Sequence, residues 1–280
     1  MYTKEQSRLI GIALRSQAIA EAMGEDFEFD PCPAKDELAD LINSGEMIHI
    51  TDDTQMTMFG LEAMIMGGPS TVIAHYLMWD KTQHYGTALP PMGSSQLLVD
   101  QLNMWQVRAP GNTCLRSLQD LLQDRPVKNN SNGCGTVMKA LPFLFDENSD
   151  LLRDISYATH KGPQIIPTAI KHWQVAQKIL RKEKLNMYEG KSLEYVFGDG
   201  GWQAEYCLDI AIWAFENCNG DFNKLLELSI LHDGDSDSVA ATAGALYGLF
   251  YETYPVNLYD RVYEKDTIDM LIDRMEKLAI

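Results

Sequence analysis

Two acidic segments that lie far apart in the sequence carry the residue types of a metal site. The first is Thr51–Asp53, and the second is Asp233–Ser238, in which three aspartates alternate with Gly or Ser. Each segment stands where a predicted helix begins, and ordinary N-terminal capping needs only one Asp or Ser. The surplus carboxylates and hydroxyls are oxygen ligands of the kind that Mg²⁺ and Mn²⁺ prefer. We therefore interpret each segment as half of one metal site.

The metal interpretation depends on whether the two segments meet in space. Four buried carboxylates that face one another without a cation repel strongly, so their meeting would require metal. The alternative for Asp52 and Asp53 is an acidic first helical turn, a common arrangement because the helix dipole favours carboxylates there. The alternative for the later segment is an acidic helix cap. Local sequence leaves these alternatives open.

Composition limits the classes of partner. The chain has 280 residues, 45% hydrophobic and 22% charged, which is typical of a globular protein with a substantial core. Its net charge of −17 argues against a nucleic-acid backbone or an anionic membrane as the main partner. An anionic substrate would need helix N-termini, backbone N–H groups or metal ions to bind such a chain.

The cysteines and the N-terminal segment predict a cytoplasmic, soluble protein. The five cysteines are scattered, odd in number and never spaced as C-x-x-C, which argues against a disulfide framework and a zinc knuckle. The segment MYTKEQSRLI lacks the basic-then-apolar pattern of a signal peptide. No apolar run approaches the length that a membrane span needs.

Hydrophobic spacing predicts an all-α fold. Apolar residues recur at intervals of three and four, and no stretch alternates apolar and polar residues over five positions. We predict a single domain, residues 1–280, of roughly a dozen helices with functional turns at helix N-termini. The predicted helices cover residues 7–23, 35–47, 51–66, part of 71–88, 96–106, 113 onward, the apolar segment after Gly135, 150–160, 164–184, the segment after the turn at Trp202, the small-residue segment that follows the Asp233–Ser238 aspartates, and 266–280.

Glycine-containing turns supply the other candidate site residues. The turns 108–112 and 131–135 precede predicted helices, where free N–H groups can hold a phosphate, although such turns are also common connectors. Cys134 could be a nucleophile, but no base is visible nearby, which favours a small packed residue. His160 suits a helix C-terminus, a buried hydrogen bond or a ligand contact. Trp202 suits either the core or a stacking surface.

Six segments together resemble the ADP-ribosylglycohydrolase family, which includes the dinitrogenase reductase-activating glycohydrolase. In order, they are TDDTQMT, RAPGNTCL, NNSNGCGTVMKALP, ATH, GGWQAEYCLDIAI and HDGDSDS, and the similarity runs from about Leu9 to Gly248. The resemblance implies a compact all-α, multi-helix orthogonal bundle with a binuclear magnesium or manganese centre. It further implies hydrolysis of the bond between C1″ of ADP-ribose and a protein side chain, often arginine and in some members serine.

The resemblance also assigns roles to individual residues. The positions that match the ligands of two Mg²⁺ or Mn²⁺ ions are Thr51, Asp52, Asp53, Asp235, Asp237 and Ser238. Those that match substrate contacts are Arg108, Gly111 and Asn112 for the pyrophosphate, Ser131, Gly133, Cys134 and Gly135 for the distal ribose and phosphates, and His160 near the ligand. We place Trp202 in the substrate site as well. Glu28 matches a catalytic or gating glutamate and is the first candidate for general acid or base, followed by Asp53 and Asp235.

Several positions depart from the family pattern. Glu21 stands where Asp is usual, Lys139 where Arg is usual, and Lys161–Pro163 lacks a second histidine. Asp233 adds a charge where Ser is common, and we treat it as a neighbour of the site. These departures concern substrate choice and rate more than metal binding. They leave two alternatives: a catalytically weak or inactive ADP-ribose-binding protein, and a metal hydrolase for another ribosyl or phosphoryl substrate. A monomer is the default expectation.

Overall fold

A computed structural model describes residues 2–84 and 97–280, and this part of the chain folds into α-helices joined by turns and by longer segments that contain 3₁₀ turns. Twelve α-helices are present there: α1 Lys4–Gly24, α2 Lys35–Ser44, α3 Asp52–Met66, α4 Val72–Thr82, α5 Asn112–Leu122, α6 Asp150–Thr159, α7 Ile165–Leu180, α8 Ala204–Asn217, α9 Phe222–Ile230, α10 Ser236–Tyr251, α11 Val256–Tyr259 and α12 Lys265–Leu278. The predicted all-α class and helix number are confirmed.

Helices α1 and α10 form the centre of the fold because their backbones approach closely. A Cβ atom added at Gly244 would lie 2.7 Å from the carbonyl oxygen of Ser16, and one added at Gly248 would lie 2.6 Å from Cα of Ala13. The Ser16 hydroxyl uses this proximity to donate to the Gly244 carbonyl at 2.6 Å. Glycine at both positions of α10 therefore permits a contact that any larger residue would force apart.

The last turn of α1 holds the beginnings of both α3 and α10. A Cβ added at Gly24 would lie 2.9 Å from Cα of Asp237, so the absence of a side chain lets α10 begin directly against α1. The buried Glu21 carboxylate accepts the backbone N–H groups of Thr51 at 2.6 Å and of Thr54 at 3.2 Å. A single turn of α1 thus brings the two acidic segments to the same place.

The prediction of a helix over residues 96–106 is wrong for the described residues 97–106. This segment contains two 3₁₀ turns, Leu98–Asp100 and Leu102–Met104, separated by an extended Gln101. Contacts with other groups replace the helical hydrogen bonds: the Leu98 N–H donates to the buried Glu62 carboxylate, and the Trp105 indole donates to the Val99 carbonyl. Gln96 lies outside the described residues.

The predicted apolar helix after Gly135 is also wrong. The chain forms 3₁₀ turns over Cys134–Thr136 and Leu141–Phe143 instead. Pro142 cannot donate a backbone hydrogen bond, and glycine lowers helix stability, so the segment buries its apolar side chains without a continuous helix. The helix predicted within residues 71–88 is α4, which ends at Thr82, and residues 85–88 lie outside the described part.

The described part of the chain contains none of the strands that would indicate a mixed fold. Its β-type pairs are two isolated bridges, Ile48 with Val262 and Gly133 with Gln203. All five cysteines lie in the described residues, and each is a free thiol. Over residues 2–84 and 97–280, none of the helices combines the length and the apolar character needed to cross a bilayer.

Acid should destabilise the fold in part through His172 of α7. This imidazole is 3% exposed, its Nε2 has no hydrogen-bond partner among the described residues, and burial lowers the pKa of His172 to about 4. An unfolded histidine has a pKa of about 6.5. The stabilising contribution is therefore complete above pH 6.5 and is lost as pH falls towards 4, because only the unfolded state takes up the proton.

We expect His172→Gln to flatten this dependence. Urea unfolding of both proteins at several pH values between 7.5 and 4 should show the wild type losing roughly 3 kcal/mol more than the variant, since one pKa unit corresponds to about 1.4 kcal/mol. Parallel stability profiles for the two proteins would contradict the assignment of His172 as a buried neutral imidazole.

Candidate active site

A cavity of about 320 Å³ lies between the N-termini of α3, α5 and α10. Apart from Thr51 and Arg108, every sequence-predicted site residue lines it, although these residues come from segments spread over the chain. The lining residues are Glu28, Phe29, Asp52, Asp53, Ala109, Pro110, Gly111, Asn112, Thr113, Cys114, Ser131, Gly133, Cys134, Gly135, His160, Trp202, Asp235, Asp237 and Ser238.

The two acidic segments meet at this cavity. The Thr51 hydroxyl, at the start of α3, lies 3.2 Å from Oδ2 of Asp237 in the first turn of α10. Thr51 itself is fully buried beneath the lining residues, where its hydroxyl also lies 2.6 Å from the Glu21 carboxylate. Carboxylate oxygens of Glu28, Asp235 and Asp237 lie within 4.8 Å of one another. Asp233, by contrast, is exposed.

The environment of these carboxylates strongly opposes their ionisation. Burial raises the pKa values of Asp52, Asp53 and Asp235 well above their usual range, and the nearby Asp237 carboxylate raises them further. Burial also raises the pKa of Asp237. The pKa of the half-buried Glu28 is raised to about 7 by burial and then by Asp237 and Glu25. A bound cation would remove this repulsion.

The residues present fit a hard divalent cation. The site offers carboxylate and hydroxyl oxygens from two helix starts, which is the ligand set of Mg²⁺ and Mn²⁺. Oδ2 of Asp53 is buried and has no hydrogen-bond partner among the described residues. A buried carboxylate oxygen without a partner is costly, and a metal ion would supply the missing interaction.

A divalent cation should therefore stabilise the folded protein. At a concentration 100 times its Kd, Mg²⁺ or Mn²⁺ would add about 2.7 kcal/mol and raise Tm by roughly 5 °C or more. Thermal unfolding with MgCl₂, MnCl₂, EDTA or KCl of matched ionic strength measures this effect. Asp53→Asn should lose the shift and Asp233→Asn should keep it. An equal shift with KCl would instead indicate general charge screening.

The loop after α1 brings Glu28 to the cavity. The backbone N–H of Phe29 donates to the Gly234 carbonyl at 2.8 Å, which fixes this loop against the segment that precedes α10. The Phe29 ring lies 5.4 Å from the Trp202 ring, centroid to centroid. Trp202 is 59% exposed, so the structure supports a stacking surface and not a core position.

Asn129 connects the 131–135 turn to the segment around His160. Its side-chain N–H donates to the Thr159 carbonyl at 2.9 Å, and its side-chain oxygen accepts the N–H groups of Lys161 at 2.9 Å and Ser131 at 3.1 Å. The Gly133 N–H is engaged by the Ser131 hydroxyl at 3.2 Å. The 131–135 turn is thus preformed beside His160.

The 108–112 turn brings the N-terminus of α5 to the cavity. The Gly111 N–H donates to Asp52 at 3.2 Å, so this group positions the acidic centre. Helix α5 begins at Asn112, and Asn112 and Thr113 line the cavity. The first N–H groups of a helix lack partners within the helix and suit an anion.

Cys134 has the environment of a packed thiol. Its Sγ donates to Oδ2 of Asp235 at 3.0 Å, and burial together with the Asp235 charge raises the pKa of Cys134 well above its usual value. The thiolate is the nucleophilic form of cysteine, and this site disfavours it. The arrangement favours the packed-residue interpretation over a nucleophile.

Arg108 is not among the residues that line the cavity. Its guanidinium donates to the Gln106 side chain and lies 2.9 Å from Nδ1 of His49, while its backbone carbonyl accepts the Asp52 N–H at 3.0 Å. Its position therefore supports a role in placing Asp52. Sequence reasoning did not name five of the lining residues: Phe29, Ala109, Pro110, Thr113 and Cys114. Adjacency to Glu28 was the available signal for Phe29, and the other four lie within the segment RAPGNTCL.

Comparisons with known proteins agree with this geometry. The family model described as ADP-ribosylglycohydrolase matches residues 1–279. A solved structure titled "ADP-ribosylglycohydrolase-related protein complex" is similar with a TM-score of 0.71 at 20% sequence identity, and the alignment covers 99% of each chain. This likeness shows the fold. No curated protein matches the sequence.

Proposed function

Because the chain belongs to the ADP-ribosylglycohydrolase family, we propose that it hydrolyses the glycosidic bond between C1″ of ADP-ribose and an acceptor side chain of a protein, with two Mg²⁺ or Mn²⁺ ions. The observation that carries this proposal is the meeting of the α3 and α10 carboxylates at a cavity that also presents a helix N-terminus and a preformed glycine turn.

The acidic centre is the proposed metal site. The residues that would hold the ions are Thr51, Asp52, Asp53, Asp235, Asp237 and Ser238. When bound, the ions supply Lewis acidity towards oxygen and neutralise the buried carboxylates. The four aspartates line the cavity although their side chains are largely buried, so an ion held there would be surrounded mainly by protein atoms.

Glu28 is the proposed general acid or base. Its carboxylate lines the cavity beside Asp235 and Asp237, and its loop is fixed by the Phe29–Gly234 hydrogen bond. Cleavage of a glycosidic bond develops oxocarbenium character, and a carboxyl group can protonate the leaving group or activate water. Asp53 and Asp235 remain the next candidates for this role.

The remainder of the cavity suits the nucleotide part of the substrate. The diphosphate would lie against the N-terminus of α5 and the 131–135 turn, which explains how so acidic a chain binds an anion. Trp202 and Phe29 provide exposed aromatic surface for stacking. The acceptor would be presented from solvent at the cavity mouth.

Release of ADP-ribose from defined linkages tests the proposal. Arginine-, serine- and glutamate-linked ADP-ribosyl substrates should be assayed with Mg²⁺, Mn²⁺ or EDTA. We expect metal-dependent release from at least one linkage and none with EDTA. Absence of release from every linkage with either metal would contradict the proposed hydrolase.

A second candidate is an ADP-ribose-binding protein without turnover. Its support is Glu21, which replaces the usual Asp and contacts the Thr51 hydroxyl directly. Isothermal titration with ADP-ribose and Mg²⁺, run beside the hydrolysis assay, separates the two candidates. Binding without release from any linkage would favour this second candidate.

A further inference from the structure

Lys139 is a buried cation behind the cavity wall. It is 1% exposed, and its Nζ donates to the Thr159 hydroxyl at 3.4 Å and lies over the face of the Tyr76 ring, whose centroid is 5.0 Å away. Burial lowers the pKa of Lys139, whereas the acidic groups beside it, including Asp52 and Asp53, oppose that shift. Burial of an ammonium group costs free energy unless it is paired, so a function for Lys139 is expected.

The Thr159 hydroxyl connects Lys139 to His160. Its Oγ1 lies 2.9 Å from Nδ1 of His160, so three side chains form a continuous chain of polar contacts. An ammonium group has donors and no acceptor. The hydroxyl oxygen therefore accepts from Lys139. Nδ1 of His160 is the acceptor that the described residues offer to the hydroxyl proton, so the hydroxyl donates to Nδ1. A neutral imidazole that accepts at Nδ1 carries its own proton at Nε2.

The other ring nitrogen of His160 is directed to the glycine-rich turn. His160 lines the cavity, and its Nε2 has no hydrogen-bond partner in the described part of the chain. A Cβ added at Gly135 would lie 3.3 Å from Nε2 and 3.1 Å from Cε1, so glycine provides the space for the ring. Burial and the Lys139 charge lower the pKa of His160 to about 3, which keeps the ring neutral.

We propose that Lys139 is a positioning residue that acts through Thr159 to fix His160 as an Nε2–H donor towards the cavity. The acceptor for the His160 Nε2–H is an oxygen of the bound ligand. A phosphate oxygen suits this role because it accepts hydrogen bonds and cannot donate them. The opposite tautomer would present a lone pair and repel such an oxygen. Identification of that oxygen with ADP-ribose rests on the proposed function, whereas the tautomer assignment does not.

The tautomer can be measured in the ligand-free full-length chain. Long-range ¹H–¹⁵N correlation spectra of uniformly ¹⁵N-labelled protein distinguish protonated from unprotonated ring nitrogens, and the spectrum of His160→Gln identifies the His160 signals. His232 is an internal reference for the Nε2–H form, since its Nε2 lies 3.0 Å from the Ser229 carbonyl and its Nδ1 accepts the Gly234 N–H. His75, whose Nδ1 lies 3.0 Å from the Thr71 carbonyl and whose Nε2 lies 3.9 Å from the Glu62 carboxylate, is the reference for a protonated Nδ1 only.

We expect the ring of wild-type His160 to show the protonation pattern of His232, with the proton at Nε2. In Lys139→Met the hydroxyl is free to accept, so the His160 nitrogen signals should shift towards a mixture of tautomers, and Lys139→Arg should restore them. Thr159→Val should produce the same mixture; the Thr159 carbonyl remains held by Ser117 and Asn129, so the backbone stays in place. A wild-type His160 that carries its proton at Nδ1, or an unchanged tautomer in both Lys139→Met and Thr159→Val, would overturn the proposal.

Ligand affinity supplies a second readout. By isothermal titration with ADP-ribose at fixed Mg²⁺, Lys139→Met and Thr159→Val should each weaken binding about tenfold, the size of one hydrogen bond. Because both act through His160, the double variant should lose about tenfold in total. A hundredfold loss in the double variant would show that Lys139 and Thr159 act independently and would overturn the proposal. If the wild type keeps the expected tautomer but binds no ADP-ribose, the ADP-ribose assignment fails and the positioning of His160 by Lys139 through Thr159 stands. Should Lys139→Met not fold, Thr159→Val and Lys139→Arg carry both measurements.

Discussion

Asp235→Ala should abolish metal-dependent release of ADP-ribose while the protein remains folded. The variant removes a buried carboxylate that lies between Asp237, Glu28 and the Cys134 thiol. Loss of a metal ligand should remove about 4 kcal/mol of transition-state stabilisation, which corresponds to roughly a thousandfold in rate. The measurement is kcat/KM with saturating Mg²⁺ or Mn²⁺, accompanied by circular dichroism to verify helix content.

Asp233→Ala is the matched control for this prediction. Asp233 lies in the same segment, two residues earlier, but is exposed and outside the cavity lining. Its removal should leave the rate within a factor of about two, since surface substitutions are usually small in effect. Asp235→Asn separates charge from capping, because Asp235 also accepts the Ser238 N–H at the start of α10. Wild-type turnover in Asp235→Ala would exclude the proposed metal site.

Glu28→Gln should lower kcat about 10²- to 10⁴-fold with little change in KM. The amide has the size of the carboxyl group but cannot exchange a proton with the substrate. The loop should keep its position, because its anchor is the backbone hydrogen bond from Phe29 to Gly234 and not the Glu28 side chain. Steady-state kinetics against the cleaved linkage measures the effect.

Asp26→Asn controls for the charge of the same loop. Asp26 is exposed, so its loss should change kcat by less than about twofold. Glu28→Gln should also retain the Mg²⁺-dependent rise in Tm. If the variant loses that rise together with its activity, Glu28 is a metal ligand and the acid–base assignment is wrong.

The sequence by itself determined the helical class and the chemical character of the site. Helical periodicity and capping are local properties, so α1, α2, α3, α6, α7 and α12 were predicted within a few residues of both ends, whereas the short helices α9 and α11 were not predicted. The concentration of oxygen ligands at Thr51–Asp53 and Asp233–Ser238 was also visible in the sequence. Where contacts with distant groups replaced local ones, prediction failed: Glu62 engages the Leu98 N–H, and residues 97–106 form turns in place of a helix.

The tertiary structure alone decided which of these residues share a site. Thr51 meets Asp237 because Gly24, Gly244 and Gly248 let α1 and α10 approach at backbone distance, and no local pattern encodes that contact. Tertiary contacts also place the Arg108 guanidinium beside His49 and the buried Lys139 ammonium beside Thr159, which precedes His160. Residue types therefore determined which chemistry was available, whereas the packing of distant helices determined which carboxylates meet. The physical reason is that burial and the repulsion between carboxylates depend on distance in space and not on distance along the chain.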